Sequence, residues 1–513
     1  MAKSPNKWIV ALTVMLPVLM VILDTSIVNV SLDHIRGSLS AGIDESTWAI
    51  TSYLAANAVV IPMTGWLSRL FGRKRLMIVS IILFTVSSFI CGSAWSIQSL
   101  IVARIFQGLA GGALQPISQA ILLETFPPYM HGTAMAIFGI GIMFGPAVGP
   151  LVGGWITDNW SWRWSFYINI PIGIIGVLMA AVSIFDPSYI KKIRMKIDYW
   201  GFLTLAVGIG CLQIVLDKGQ REDWFSSEFI LWFAVVSVLA LILFLVVELF
   251  TDQPVVDLRI FRSASFGLGN GILFFANVTL FGSIVLPPIY LQTLMGYTAT
   301  LAGTVLGPGG FASLLTMPLV GRLLATQMNP KILIALGITG TAASAWLMSR
   351  FNLQTDFATV LWTRIFFGAS MVFIIIPLTT LTLSAIPKEE MGNATSIFNL
   401  VRNLGGSFGV SIVTTLLSSR SQFHQARLVE HLTPFDPALR ITAQQTAQVL
   451  QQRGLETGVA AQGSLGLIYG KLIREATMIS FNEIFSLLAV MTLLTLPAVL
   501  FMKRIRHSRT DPH

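Results

Sequence analysis

Asp24 lies about two-thirds along an apolar run from Trp8 to Val30, and Arg104 lies inside another. An ionised group so placed costs about 2.5–3.5 kcal/mol on insertion scales, which makes such charges functional candidates by default. The chemistry open to this pair is reversible protonation. An arginine a few ångströms away lowers a carboxylate pKa, whereas desolvation raises it. An acid that exchanges one environment for the other would load and release a proton, with Arg104 tuning its affinity. The other reading of the same residues is a static ion pair that only fixes packing.

Further polar residues are candidates to line a cavity. Gln115 follows Arg104 by eleven residues, three helical turns along on the same face. It is placed to hydrogen-bond a cargo or, equally, a neighbouring helix. Arg402, with Asn399 and Asn403 beside it, is the cationic candidate of the second half, and Asn29 joins this set. Arg364 is the other cationic position of the second half; the alternative for it, the favoured one, is to snorkel at the outer boundary. No Asp or Glu occurs from Ala299 to Leu324. With Asp24 as the main acid against Arg104 and Arg402, the charge balance favours neutral, weakly acidic or at most monovalent hydrophobic compounds over dications.

Other chemistries find little support. The histidines His34, His131, His424, His431, His507 and His513 are scattered and form no ligand pattern, so neither metal nor cofactor is expected. No GxxxxGK[ST] phosphate loop is present, and direct ATP coupling is unsupported. A membrane enzyme would need a polar cluster at one interface. A passive scaffold would leave Asp24 unexplained. Cys91 and Cys211 lie in apolar runs and read as small buried hydrophobes. Glu124, Asp217, Glu248 and Glu483 fall near span ends, where carboxylates reach headgroups or water.

The elements that must position these residues are membrane helices. Of 513 residues 54% are hydrophobic and 11% charged, against about 25% charged in soluble domains. The net charge of +9 is dispersed in short clusters between apolar runs rather than gathered into a nucleic-acid face. With about 20 apolar residues per crossing, fourteen spans are expected near 8–30, 47–67, 76–95, 98–123, 133–155, 164–185, 199–216, 229–250, 266–289, 299–324, 332–349, 357–385, 393–416 and 480–502. The first run is too long for a signal peptide and lacks a cleavage site.

Lys and Arg in short loops set the orientation. One side carries Lys3, Lys7, Arg69, Arg73, Lys74, Arg75, Lys191, Lys192, Arg194, Lys196, Arg259, Arg262, Lys331, Lys388, Lys503, Arg504, Arg506 and Arg509. The other offers only Arg36, Arg163, Lys218, Arg221 and Arg350 in its short loops. The first side, with both termini, is expected to be cytoplasmic. A polar stretch at 417–479 lies outside. Its heptad-like Leu428, Leu432, Ile441, Val449 and Leu450 suggest an ordered, partner-facing element.

Within the fifth span, Gly141, Gly145, Gly149 and Gly153 recur every four residues, with Pro146 and Pro150 between them and Gly154 following. That spacing leaves a groove without side chains along one face, made for close helix contact. The expectation is that span five seals against its counterpart, span ten.

A repeat organises the chain. Arg104-Ile-Phe-Gln-Gly108 returns as Arg364-Ile-Phe-Phe-Gly368, and the same shift of 260 places Pro127 on Pro387, Gly145 on Gly405 and Gly149 on Gly409. Gly65 and Gly321 extend the match at a slightly shorter offset. The expected division is a six-helix bundle at 1–185, two inserted helices at 186–265, and a second six-helix bundle at 266–513 that includes the long outer loop. Repeated halves with a site between them are the architecture of alternating-access carriers.

These motifs resemble the major facilitator superfamily. Gly65-Trp-Leu67-Ser-Arg69-Leu-Phe-Gly72-Arg73-Lys74 is similar to its cytoplasmic gating motif, with Arg69 where an aspartate is usual. Arg104 with Gln107-Gly108 is similar to the span-four motif linked to proton coupling, and Gly141–Gly154, containing Gly145-Pro146, to the antiporter motif. Leu23–Val30, Leu216-Asp217-Lys-Gly219, Gly296–Thr300 and Asn482-Glu483-Ile484-Phe485 narrow the resemblance to the fourteen-helix drug:proton antiporters of the EmrB/QacA type. The resemblance implies an all-α membrane protein of fourteen transmembrane helices that exports drugs against protons across the cell inner membrane. It also implies an EmrA-type periplasmic adaptor and a TolC-type outer-membrane channel as partners. Export of a specific metabolite, siderophore or lipid is the alternative.

Overall fold

The computed structural model describes residues 6–186, 198–326, 328–384, 386–430, 432–433 and 435–502. Lys3, Lys191, Lys192, Arg194, Lys196, His431 and the basic residues from Lys503 to Arg509 lie outside the described residues, as does the side chain of Pro146. Every regular element among the described residues is helical. The first half comprises α1 (Lys7–Ser38), α2 (Ile43–Phe71), α3 (Arg73–Gly92), α4 (Ile97–Gly111), α5 (Leu114–Thr125), α6 (His131–Asn159), α7 (Trp164–Tyr167) and α8 (Asn169–Ser183). Then follow α9 (Tyr199–Lys218) and α10 (Glu228–Phe250). The second half comprises α11 (Ala264–Ile289), α12 (Ala299–Ala325), α13 (Pro330–Met348), α14 (Phe357–Leu383), α15 (Met391–Glu430), α16 (Pro437–Gln452), α17 (Thr457–Leu494) and α18 (Leu496–Phe501).

Among the described residues thirteen helical segments are long and apolar enough to cross a bilayer. With the 29-residue α6 beside them, the architecture is consistent with the expected fourteen. The ends are set locally. Gly72 turns the chain between α2 and α3 at φ +83°, in the left-handed region open to glycine. Ser96 and Ser99 cap α4 reciprocally. The fourth span breaks at Gly112–Ala113 into α4 and α5 rather than running unbroken.

The bundles mirror each other. Within the first, α6 packs along α1, α2 along α4, and α3 along α8; within the second, α15 packs along α11, α12 along α14, and α13 along both α14 and α17. The inserted α9 and α10 pair together, and α9 lies against α2 and, more lightly, α15. Polar contacts fix that seam: Gln213 of α9 donates to Ser407 Oγ of α15 at 2.9 Å, Lys218 donates to Thr47 of α2 at 2.5 Å, and Asp217 accepts from Thr51.

The stretch at 417–479 differs from an outer loop. α15 runs 40 residues and α17 38, roughly twice the 20 needed for a crossing, so the last spans project beyond the apolar layer as helices. The connections shrink to 431–436 and 453–456. α16, which buries no residue, lies against α17 through Leu450 and Gly463. Of the five spaced apolar residues, Leu428, Ile441, Val449 and Leu450 lie on helices and Leu432 in the connection; Ile441 and Val449 are exposed.

Candidate functional site

Asp24 on α1 meets Arg104 on α4 at 2.6 Å, Nη1 to Oδ2, with both side chains fully buried. The other carboxylate oxygen accepts from Gln107 Nε2 and from Asn169 Nδ2, each at 2.9 Å. Arg104 also donates from Nε to the Ala49 carbonyl at 3.0 Å and from Nη1 to Gln107 Oε1 at 2.7 Å. Its guanidinium lies 4.0 Å from the centroid of the Tyr53 ring, a cation–π contact. Ser88 closes the cluster by accepting from Asn169 at 2.9 Å and donating to the Phe166 carbonyl. Two helices, α4 and α8, therefore donate to one carboxylate, with Ser88 of α3 held behind Asn169. In a buried pair of this kind each charge compensates the desolvation of the other.

Asn169, Ser88 and Tyr53 were missed by sequence reasoning. The signal available for Asn169 was a lone amide beside Pro171 in an apolar run. Nothing in the sequence alone identified Tyr53.

A second set of polar contacts joins the bundles. Arg402 donates to Gln115 Oε1, and Asn399 Nδ2 donates to Gln119 Oε1 at 2.6 Å. Thus α5 and α15 meet through Gln115, Asn399 and Arg402, which were expected to line a cavity, and through Gln119, which was not, with the Arg402 guanidinium 5.9 Å from the Phe138 ring. Asn403 is part-buried on the next position round the helix. Asn29 is exposed on α1 and takes no part in either cluster.

At the face that carries the α2–α3 turn, the bundles are closed against each other. A Cβ on Gly65 would stand 2.7 Å from Asn393 Cα, and one on Gly132 would stand 2.6 Å from Leu324 Cβ. Only glycine permits these crossings. Arg69, Arg73, Ser68, Asp257, Glu389 and Glu390 surround a small cavity there. Arg69, in the place where an aspartate is usual, thus meets acidic residues from the linker and the second half. Arg73 pairs with Glu124, both buried, so this carboxylate is a partnered group rather than a solvated span end. Lys74 is tied through its backbone N–H to Asp186 at 2.9 Å and through Nζ to the Ala181 carbonyl. Glu483 likewise has partners, Arg420 at 2.7 Å and His424 at 3.0 Å.

The glycine ladder faces a different helix from the one expected. A side chain at Gly141 would overlap Met15, at Gly145 Ile22, and at Gly149 Ser26, while Gly153 abuts Ile27; all four partners are on α1. Gly154 has open space around it. α6 does meet α12, but through Gly132, through Gly139 against Met317, and through Ala136 against Gly321. The second half repeats this: Gly405 and Gly409 of α15 lie against Phe274 and Val278 of α11. Periodicity exposed the groove but could not say which helix fills it.

A two-bundle membrane protein with a buried acid, a polar seam between bundles and one closed face has the architecture of an alternating-access carrier. Residues 14–410 match the Major Facilitator Superfamily. Over 496 residues the chain is 38% identical to the multidrug export protein EmrB of Escherichia coli (strain K12), covering 96% of this chain and 95% of that one. It is 34% identical over 504 residues to the fatty acid resistance protein FarB of Neisseria gonorrhoeae, covering 98% and 97%. Among solved structures, the human organic anion transporter MFSD10 aligns with a TM-score of 0.58 at 11% identity, over 95% of this chain and all of that one. The proton:xylose symporter XylE aligns at 0.57 and 16%, over 92% and 94%. The chain belongs to the major facilitator superfamily, in its EmrB-type branch.

Proposed function

We propose that the protein is a proton-driven multidrug exporter of the cell inner membrane. In this reading Asp24 carries the coupling proton, and the observation that supports it most is the Asp24–Arg104 pair with its Gln107 and Asn169 donors. Protonating Asp24 would free Arg104 from its counter-ion, and the two-bundle frame would convert that local change into rocking. One proton moving down the electrical gradient supplies about 2.3 kcal/mol per 100 mV. The closed face carries the basic loops, so it is read as cytoplasmic, with both termini inside and the carrier open outward. Gln115, Gln119, Asn399 and Arg402 then lie at the floor of the cargo path.

The cargo is read as hydrophobic and neutral or weakly acidic, since Arg402 faces a neutral amide. The names of EmrB and FarB, one a multidrug exporter and one tied to fatty acids, support both drugs and lipid-like acids as cargo. The projecting α15–α16–α17 unit is read as the contact for an EmrA-type adaptor leading to a TolC-type channel. Flux of neutral, anionic and cationic compounds from proteoliposomes under an imposed pH gradient tests this function. Absence of any gradient-driven flux would overturn it.

A further inference from the structure

The repeat superposes two arginines whose surroundings have diverged. Arg104 and Arg364 are 260 positions apart and occupy equivalent places: Gly108 is pressed against the Tyr53 carbonyl on α2, and Gly368 against the Gly309 carbonyl on α12. In the first half Arg104 has Asp24 as its counter-ion, Gln107 as a second partner and the Tyr53 ring over it. In the second half, Ser283 of α11 takes the part of Asp24. Arg364 Nη1 donates to its Oγ at 2.6 Å and to its carbonyl at 2.9 Å. Phe367 replaces Gln107 and places its ring 5.1 Å from the guanidinium, and Gly309 replaces Tyr53. Among the described residues no carboxylate pairs with Arg364, and its buried Nε has no hydrogen-bond partner.

The guanidinium does not snorkel to the apolar surface. Trp362 and Phe366 are the exposed residues of this stretch, and each is two positions from Arg364, about 160° away around a helix of 100° per residue. The partial exposure of Arg364 is therefore toward the interior of the second bundle.

We infer that Arg364, with Ser283, is an anion subsite that takes the carboxylate of an amphipathic cargo. The first half carries its own counter-ion, and the second takes one from the transported molecule. A planar guanidinium with an unpartnered Nε matches a carboxylate; the Phe367 ring lies 5.1 Å from it on one side, and Gly309 supplies no ring where the first half has Tyr53. This inference rests on the export reading for its physiological meaning, but binding can be measured without transport.

The test uses the full chain in nanodiscs and in proteoliposomes, with decanoate as the anionic probe and decanamide as its neutral isostere. Expected for the wild type is decanoate binding that Arg364→Gln weakens at least tenfold and Arg364→Lys weakens less. Ser283→Asp, which rebuilds the first-half pair, should lower the transport preference for decanoate over decanamide at least tenfold. Replacing chloride with gluconate separates a cargo site from an inorganic-anion site. If chloride competes with decanoate at millimolar levels and binds Arg364 alone, the carboxylate assignment falls. Equal loss of both probes in Ser283→Asp, or unchanged decanoate binding in Arg364→Gln, would also overturn it. Decanoate binding that depends on Arg364 without gradient-driven flux would support the subsite and overturn only the export reading.

Discussion

Arg104 Nη1 is held 2.6 Å from the Asp24 carboxylate with neither side chain exposed, so each residue is the condition for burying the other. Removing one partner of such a pair costs about 3–5 kcal/mol, because the survivor is left uncompensated, whereas replacing both is cheaper. Arg104→Gln alone should therefore lower thermal stability more than Asp24→Asn with Arg104→Gln together. Asp24→Asn should reduce flux driven by a pH gradient to background while the protein still inserts. The checks are melting in detergent for the cycle of variants and proton-coupled flux in liposomes. Gradient-driven flux surviving in Asp24→Asn would remove this acid from the coupling step.

Gly145 lies where any side chain would overlap Ile22. Overpacking of this kind costs about 1–3 kcal/mol. Gly145→Ala should destabilise by that order, and adding Ile22→Ala should recover part of it, because the removed atoms are the ones a new Cβ would meet. Gly154→Ala, with open space around it inside α6, serves as the control and should stabilise by about 0.5–1 kcal/mol, the usual gain of Ala over Gly within a helix. No recovery in the double variant would mean that α6 does not pack on α1 in this way.

The repeat and the apolar runs made the architecture readable because membrane burial forces long, nearly chargeless helices and because the duplicated halves kept Arg-Ile-Phe and their glycines. Asp24 and Arg104 were readable for the same reason: a charge in hydrocarbon has few explanations. What the sequence withheld was mostly partnership. Four-residue spacing on α6 fits α1 and α12 equally well, and only packing assigns Gly145 to Ile22 and Gly132 to Leu324. Glu124 looked like a tolerated span-end acid until Arg73 was seen against it. Asn169 is 145 residues from Asp24 and Tyr53 is on the next helix, and no local pattern links either to it. In the outer stretch the apolar spacing already pointed to an ordered element, but its polar composition did not show that most of it continues α15 and α17, with α16 between them.

Closure of the basic face depends on Gly65, whose α-carbon side has no room beside Asn393. Gly65→Leu should hold α2 away from the start of α15 and bias the carrier away from the closed state. A cysteine introduced at Ser68, buried in the closed form, should then be labelled by a water-soluble maleimide at least several-fold faster than in the Gly65 parent. Equal labelling would show that this crossing does not control access.

α16 offers a separation of transport from assembly. It buries none of its own residues, and Ile441 and Val449 stand exposed on it, so apolar area there is free for a partner. Ile441→Lys with Val449→Asp touches no packed core and should leave stability within about 0.5 kcal/mol, as is usual for surface changes. Flux in liposomes, where no adaptor is present, should be unchanged. If the protein works through the proposed adaptor and outer-membrane channel, drug resistance in cells should fall, because that route needs the adaptor seated. Adaptor pull-down and minimum inhibitory concentrations measure this directly. Because the two assays share the same carrier, loss in both would place these residues in the transport cycle itself, while loss in neither would leave α16 without a docking role.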